Sequence, residues 1–308
     1  MVTPKTPTIT GPWTQIYDPC ETYFIERTTK LNRNNWYTND HCFVKDPDGT
    51  WHAYGIIGYR VLGMAFSWIT EKNLFHITSD SLLGEWKEHD YALSAKRDKG
   101  EQYTWAPHAI MGKDSLIYMF YAAGNLRPFS IIGGIHGRIQ LAISDDGFNW
   151  KRDKWNPIFS GPGNARDPMI FEHNGQYYAY YTSSYDEEDK QSCVAVRTSP
   201  DLLHWSGPKI CFIYPGRKSK WAGNSESPFV VKFENLFYLF VCHASRKYNL
   251  TSVYWSENPE RFPSEQKVCD LETHASEIIY DEKEGWFISN TGWDKDGLYL
   301  SPLEWVEK

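Results

Sequence analysis

Three carboxylates stand just ahead of apolar, strand-like runs in this chain of 308 residues. Asp40 lies in Asn39-Asp40-His41, Asp167 in Arg166-Asp167-Pro168, and Glu226 in Glu226-Ser227-Pro228. Counted back from the aromatic-rich segment that follows each, Asp40 is eleven residues before Trp51, Asp167 ten before Tyr177, and Glu226 eleven before Phe237. One acid before a strand is ordinarily a turn or cap residue. Three at matched register argue for one shared pocket. Acids crowded together shift one another's proton affinity, the environment that acid–base sites use.

Something must bring three distant segments together, and the sequence supplies it as a repeat. A short phrase runs from Ser through a polar stretch to an aromatic, at Ser79–Trp86, Ser144–Trp150, Ser199–Trp205, Ser256–Phe262 and Ser301–Trp305. The closing aromatics lie 64, 55, 57 and 43 residues apart. Ahead of each copy comes a short apolar run, a turn, and an alternating aromatic strand such as Tyr177-Tyr178-Ala179-Tyr180-Tyr181. Asp48-Gly49, Asn174-Gly175 and Glu284-Gly285 occupy three of those turns, where glycine takes positive φ at little cost. Each unit reads as a four-stranded antiparallel sheet, and five such units predict an all-β, five-bladed β-propeller.

The expected blades span about residues 36–90, 103–158, 165–212, 222–265 and 270–305 of a single domain covering 1–308, with 1–35 as a loose lead-in. In such a ring the first strand of each blade lines the central channel. The remaining two blades open with Trp105-Ala106-Pro107-His108 and His274-Ala275-Ser276-Glu277, which gives the pocket polar and aromatic walls. Trp36, Trp105, Trp221 and Trp293 stand beside the blade openings or in loops after them, as candidate stacking faces or as blade packing, whereas Trp86, Trp150 and Trp205 close repeats and read as blade core. The glycine-containing loop from Asn125 to Arg138 reads as a lid, a subsite wall or an ordinary surface excursion.

Composition narrows the partners. Charged residues make up 23%, and the formal net charge is −7 with no basic block, so a nucleic-acid partner is not expected. No apolar run approaches the roughly 18 residues of a membrane helix. The six cysteines are scattered without a CxxC pair, so they read as buried thiols rather than zinc ligands. Met1 to Trp13 has no apolar signal core. The expectation is a cytoplasmic protein if Met1 is the native start, and a secreted or periplasmic one if a leader has been removed. Nothing in the sequence addresses oligomeric state.

These residues carry a resemblance that spans roughly Trp36 to Trp305. The chain resembles the five-bladed glycosidases of glycoside hydrolase families 32, 43 and 68. Asn39-Asp40 and Arg166-Asp167-Pro168 resemble family 32. Trp105-Ala106-Pro107, Glu226-Ser227-Pro228-Phe229 and His274 resemble family 43. His41-Cys42-Phe43 stands where family 32 has Pro-Asn-Gly, and His108 where family 43 has Asp.

The resemblance implies an exo-acting glycosidase on a fructofuranoside, arabinofuranoside or xyloside. Glycoside cleavage needs a protonated acid at the leaving oxygen and an ionised carboxylate on the opposite face. On the resemblance, Glu226 is the general acid, Asp40 the nucleophile or the base that activates water, and Asp167 the group that binds sugar hydroxyls. Asn39, Trp105, His108, Arg166 and His274 are the expected substrate-binding residues. Arg166 would either keep Asp167 ionised or be structural, since strand neighbours point to opposite faces. No cofactor is expected; a structural metal held by His108 or His274 in the channel is the weaker alternative. The rival readings are a phosphate-dependent glycoside phosphorylase, with Arg60, Arg127 and Arg138 as phosphate donors, and a non-catalytic sugar-binding propeller.

Overall fold

The computed structural model describes residues 3–21, 35–60, 67, 69–124, 137–161, 164–184, 192–215, 225–243 and 248–307. They form five antiparallel sheets, the blades of a five-bladed β-propeller. Blade I opens with Trp36–Lys45, blade II with Trp105–Met111, blade III with Arg166–His173, blade IV with Ser225–Phe233 and blade V with Ile278–Asp281. Within each blade consecutive strands pair as hairpins, so the chain runs outward and then crosses to the next blade. The turns behave as their residues dictate: Gly49, Gly175 and Gly285 have φ of 92°, 79° and 90°.

The lead-in is not loose. Thr6–Ile9 pairs antiparallel with the last strand, Leu298–Val306, with Thr6 opposite Val306 and Ile9 opposite Leu303. Thr14–Tyr17 pairs with the start of the same strand. The beginning of the chain therefore supplies the outer strand of blade V and covers an edge that would otherwise be open.

The repeated phrase proves to be a turn and a wedge. Ser144 Oγ donates to Asp146 Oδ1 at 2.9 Å, and Asp146 accepts the N–H groups of Phe148 and Asn149 at 2.8 and 2.7 Å. The same cradle recurs around Asp201. It fixes the closing aromatic, whose indole N–H returns to the turn: Trp150 to Gly147 O at 3.2 Å, Trp205 to Leu202 O at 3.0 Å. Three of the closing rings pack on the second strand of the preceding blade. Trp150 meets Tyr54 at 5.4 Å, Trp205 meets Phe120 at 5.6 Å, and Trp305 meets Tyr238 at 4.6 Å. Burying these rings between sheets is what holds the blades side by side. Trp36, expected as a sugar face, is buried against Tyr59 and belongs to this packing.

Among the described residues all six cysteines are free thiols; four are buried, and Cys20 and Cys269 are partly exposed. No helix of the described residues is long and apolar enough to cross a membrane.

Candidate active site

Register along the opening strands decides which residues share a station. Lys45 pairs with Trp51, Glu172 with Tyr177 and Lys232 with Phe237. The hairpin loop of blade I is one residue longer than those of blades III and IV, so equal counts do not mean equal places. Asp40 and Asp167 share a station, with Ala106, Ser227 and Ala275 in the other blades. Glu226 sits one residue earlier, at the station of Asn39, Trp105, Arg166 and His274. The expectation of three acids at one station is corrected accordingly: the site is built from two adjacent rings.

The strands are bulged here. Pairing slips between Thr38 and His41, Trp105 and His108, Arg166 and Met169, and Glu226 and Phe229. Ala106, Asp167, Ser227 and Ala275 have φ of 45°, 54°, 50° and 48°. A side chain in this left-handed region costs about 1–2 kcal/mol, a strain found at functional sites. Pro107, Pro168 and Pro228 follow three of these residues, and a proline leaves no orphan N–H at the bulge. The bulge also breaks strict alternation, so neighbouring side chains both enter the funnel. This settles Arg166: its Nε lies 3.3 Å from Asp167 Oδ2, and its Nη2 lies 3.9 Å from Glu226 Oε2.

Ser227 ties the carboxylates together. Its hydroxyl donates to Asp40 Oδ1, and its N–H donates to Asp167 Oδ2 at 3.1 Å. Burial raises the proton affinity of Asp40, partly offset by the Ser227 hydroxyl. Burial raises Asp167 as well, offset by the Arg166 guanidinium. Glu226 has less help. Arg166 at 3.9 Å and His274 Nε2 at 4.0 Å are beyond hydrogen-bond reach. Burial, set against Arg166 and reinforced by the charges of Asp167 and Asp40, pushes Glu226 up to about 8. Ser227 and Arg166 thus restrain the rise that burial imposes on Asp40 and Asp167, whereas Glu226 keeps its proton at neutral pH.

His274 is oriented by a main-chain carbonyl. Its Nδ1–H donates to Tyr248 O at 2.9 Å, which leaves Nε2 as an acceptor facing Glu226. Burial lowers its pKa to about 4, so it stands as a neutral ring beside a protonated acid. The Tyr248 ring stacks on it with centroids 3.6 Å apart, and the Tyr248 hydroxyl donates to Asn39 Oδ1 at 3.0 Å. Trp293 lies against the same ring at 4.9 Å. On the opposite wall, Trp105 is backed by Tyr103 with centroids 4.1 Å apart.

His108 lies apart from this group. Its Nε2–H donates to Ile170 O at 3.0 Å, and its Nδ1 faces Glu277 Oε1 at 3.5 Å, so it joins blades II, III and V below the rings. Trp221, Arg127 and nearly all of the loop from Asn125 to Arg138 lie outside the described residues. Among the described residues no group of three or more His, Cys, Asp or Glu is arranged to hold a metal ion. Two residues without a role in the sequence-based expectations are central: Ser227, whose station matches that of Asp40 and Asp167, and Tyr248, which lies between strands with no repeat signal.

Comparison with known proteins agrees with this architecture. A thermostable family-43 glycoside hydrolase superposes with a TM-score of 0.66 at 20% identity, covering 89% of this chain and 90% of that one. A Bombyx mori family 32 β-fructofuranosidase gives 0.66 at 18% identity, covering 92% of this chain and 65% of the silkworm enzyme. An endo-arabinase from Bacteroides thetaiotaomicron gives 0.65 at 12% identity, covering 96% and 98%. In sequence, a 1,2-β-oligomannan phosphorylase from Thermoanaerobacter is 29% identical over 117 residues, which is 35% of this chain and 38% of the phosphorylase. The model for the glycosyl hydrolases family 32 N-terminal domain matches residues 32–234, well over half of the chain. The chain belongs to that family.

Proposed function

We propose that the protein is a glycoside hydrolase that cleaves an exo-terminal furanoside or pentoside through Glu226 as general acid and Asp40 as its ionised partner. The observation that carries this is the unequal treatment of the three carboxyls. Asp40 and Asp167 each accept a hydrogen bond from Ser227, whereas Glu226 lies beyond hydrogen-bond reach of Arg166 and His274. A protonated Glu226 delivers its proton to the departing glycosidic oxygen. Asp40 acts on the opposite face of the sugar, as nucleophile or through a water, and Asp167 with Arg166 holds hydroxyls and the developing positive charge. The membership in family 32 supports this reading, as does the description of structural relatives as a β-fructofuranosidase, a β-xylosidase and an α-L-arabinofuranosidase. A sugar substrate fits the aromatic walls formed by Trp105 and by Tyr248 with Trp293.

The phosphorylase reading draws on the match to the oligomannan phosphorylase. It loses one of its three expected phosphate donors, because Arg60 directs its guanidinium to the carbonyls of Trp293 at 2.9 Å, Trp36 at 2.9 Å and Lys295 at 2.8 Å.

A proton NMR time course with fructosides, arabinosides, xylosides, galactosides and mannosides, with and without inorganic phosphate, decides between the two. Free sugar released without phosphate supports the hydrolase, and for an aldose the first anomer seen reports retention or inversion. Release of single sugars from the end of an oligosaccharide supports exo action. A sugar phosphate formed only when phosphate is present overturns the hydrolase in favour of the phosphorylase. Binding without turnover favours the non-catalytic propeller.

A further inference from the structure

The aromatic wall of blade V runs outward from the acid. Glu226 and His274 stand in the upper of the two rings, one residue nearer the funnel mouth than Asp40 and Asp167. The Tyr248 ring stacks on His274 at 3.6 Å, and the half-buried Trp293 lies against Tyr248 at 4.9 Å. The main chain shows how far this wall climbs. Thr291 Oγ1 lies 2.7 Å from Thr38 Oγ1, beside the residue just above Asn39 on the opening strand of blade I. Two residues higher still, the carbonyl of Trp36 shares the Arg60 guanidinium with the carbonyl of Trp293. From the depth of the funnel to its mouth, the order is therefore Asp40, Glu226, Trp293.

One guanidinium clasps this wall. Arg60 follows the second strand of blade I, Trp51–Tyr59. Its Nε–H donates to Trp293 O at 2.9 Å, its Nη1–H to Trp36 O at 2.9 Å, and its Nη2 to Lys295 O at 2.8 Å and to Trp293 O. The planar fork thus fixes three main-chain carbonyls on blades I and V. The turn is shaped to match. The Lys295 N–H closes on Gly292 O at 2.9 Å, and Gly292 has φ of 143°, where a Cβ would meet Tyr248 Cε1 at 2.9 Å. Asn249 Nδ2 donates to Asp294 Oδ2 at 2.5 Å, and Lys295 Nζ donates to Asn249 Oδ1 at 3.2 Å. The Tyr248 segment and the Trp293 turn are tied into one unit with a polar rim.

We propose that Trp293 is the stacking wall for the leaving-group sugar and that Arg60 is the positioning residue that holds it there, an assignment that rests on Glu226 being the general acid. The acid stands at the glycosidic oxygen, between the sugar that is cleaved and the group that departs. Asp40, which acts on the cleaved sugar, lies deeper than Glu226. The departing group therefore points to the mouth, along Tyr248 and Trp293. A flat apolar ring edged by Asn249, Asp294 and Lys295 suits the face and the hydroxyls of a second sugar ring. The substrate class is a disaccharide or oligosaccharide rather than a glycoside of a small alcohol.

The test compares kcat/KM for an oligosaccharide that the wild type cleaves with kcat/KM for the glycosyl fluoride of the sugar it releases. Fluoride has no ring to stack and departs without a proton from the acid. Trp293→Ala should lower the oligosaccharide-to-fluoride ratio about 10-fold, chiefly through KM, because the wall is in contact before and during cleavage. Trp293→Phe should restore part of the ratio. Arg60→Gln should lower the ratio in the same direction. Arg60→Lys should lower it too, since an ammonium cannot fork three carbonyls, and it serves if Arg60→Gln does not fold. An unmoved ratio in Trp293→Ala would overturn the stacking wall. Arg60 variants that slow both substrates equally would overturn the positioning role. Glu226→Gln separates failure of the underlying reading. A much larger loss on the oligosaccharide than on the fluoride keeps Glu226 as the acid; equal losses, or none, remove it and the leaving-group assignment with it.

Discussion

The hydroxyl of Ser227 on blade IV donates a hydrogen bond to Oδ1 of Asp40 on blade I, across the propeller funnel. Ser227 stands at the station that holds Asp in blades I and III, and its φ of 50° turns its N–H toward Asp167. One residue thus feeds both carboxylates. Ser227→Ala should lower kcat/KM by about 10- to 100-fold and move the acid limb to higher pH, because an uncharged Asp40 loses less than the anion does. The pH–rate profile checks it; an unmoved acid limb would mean that the bond does not hold Asp40 ionised.

Removing either partner of the acid–base pair should be far more severe. Glu226→Gln should cost about 10²- to 10⁴-fold on a substrate with a poor leaving group and much less on an activated aryl glycoside, which needs no proton. Asp40→Asn should be comparably inactive on both. Azide or formate then reports the mechanism: rescue with product of inverted anomeric form makes Asp40 the nucleophile.

Activity should follow a bell-shaped profile. The alkaline limb falls near pH 8, where Glu226 loses its proton. The acid limb lies above the ordinary carboxylate range, because burial raises both Asp40 and Asp167. Such limbs belong to the coupled cluster rather than to single residues.

Stability should move in the opposite sense to that of a typical salt-bridged protein. Glu226, and Glu71 buried with its carboxyl accepting the Tyr37 hydroxyl, hold protons to about pH 8 when folded and release them near the ordinary 4.5 when unfolded. Their contribution is full below that value and is lost as pH rises toward 8, at up to about 1.4 kcal/mol per group per pH unit. At the acid end, Asp201 and Asp281 are lowered to about 2 by hydrogen bonds that outweigh burial, and their contribution disappears below the ordinary 3.8. Thermal unfolding of Glu226→Gln should show a flatter decline between pH 5 and 8 than the wild type, measured by calorimetry across about that range. Equal slopes would show that Glu226 is not held protonated by the fold.

Closure of the ring can be tested directly. Deleting residues through Ile9 removes the strand opposite Leu303–Val306 and opens an edge of blade V. The expected result is a fall in Tm of about 5 °C and greater self-association, measured by thermal scanning and light scattering.

The repeat made the propeller legible because its physical cause is local. Ser144, Asp146 and Trp150 lie within one turn, and their hydrogen bonds and wedge recur with the same residue types. Glu226 and Asp167 were legible because short motifs mark the opening strands. Arg166 was named there too, but its role stayed open, since strand alternation predicts opposite faces and only a bulge turns it toward Asp167.

The sequence by itself determined the five-bladed ring, the opening strands and the acids they carry, because periodic burial and turn chemistry are written in near neighbours. Tertiary structure alone decided which acid keeps its proton. That choice depends on Ser227 reaching Asp40 over 187 residues of chain and on Arg166 standing between Asp167 and Glu226. Proton affinity is set by charges and donors gathered through space, and sequence separation carries no information about them until the ring has closed.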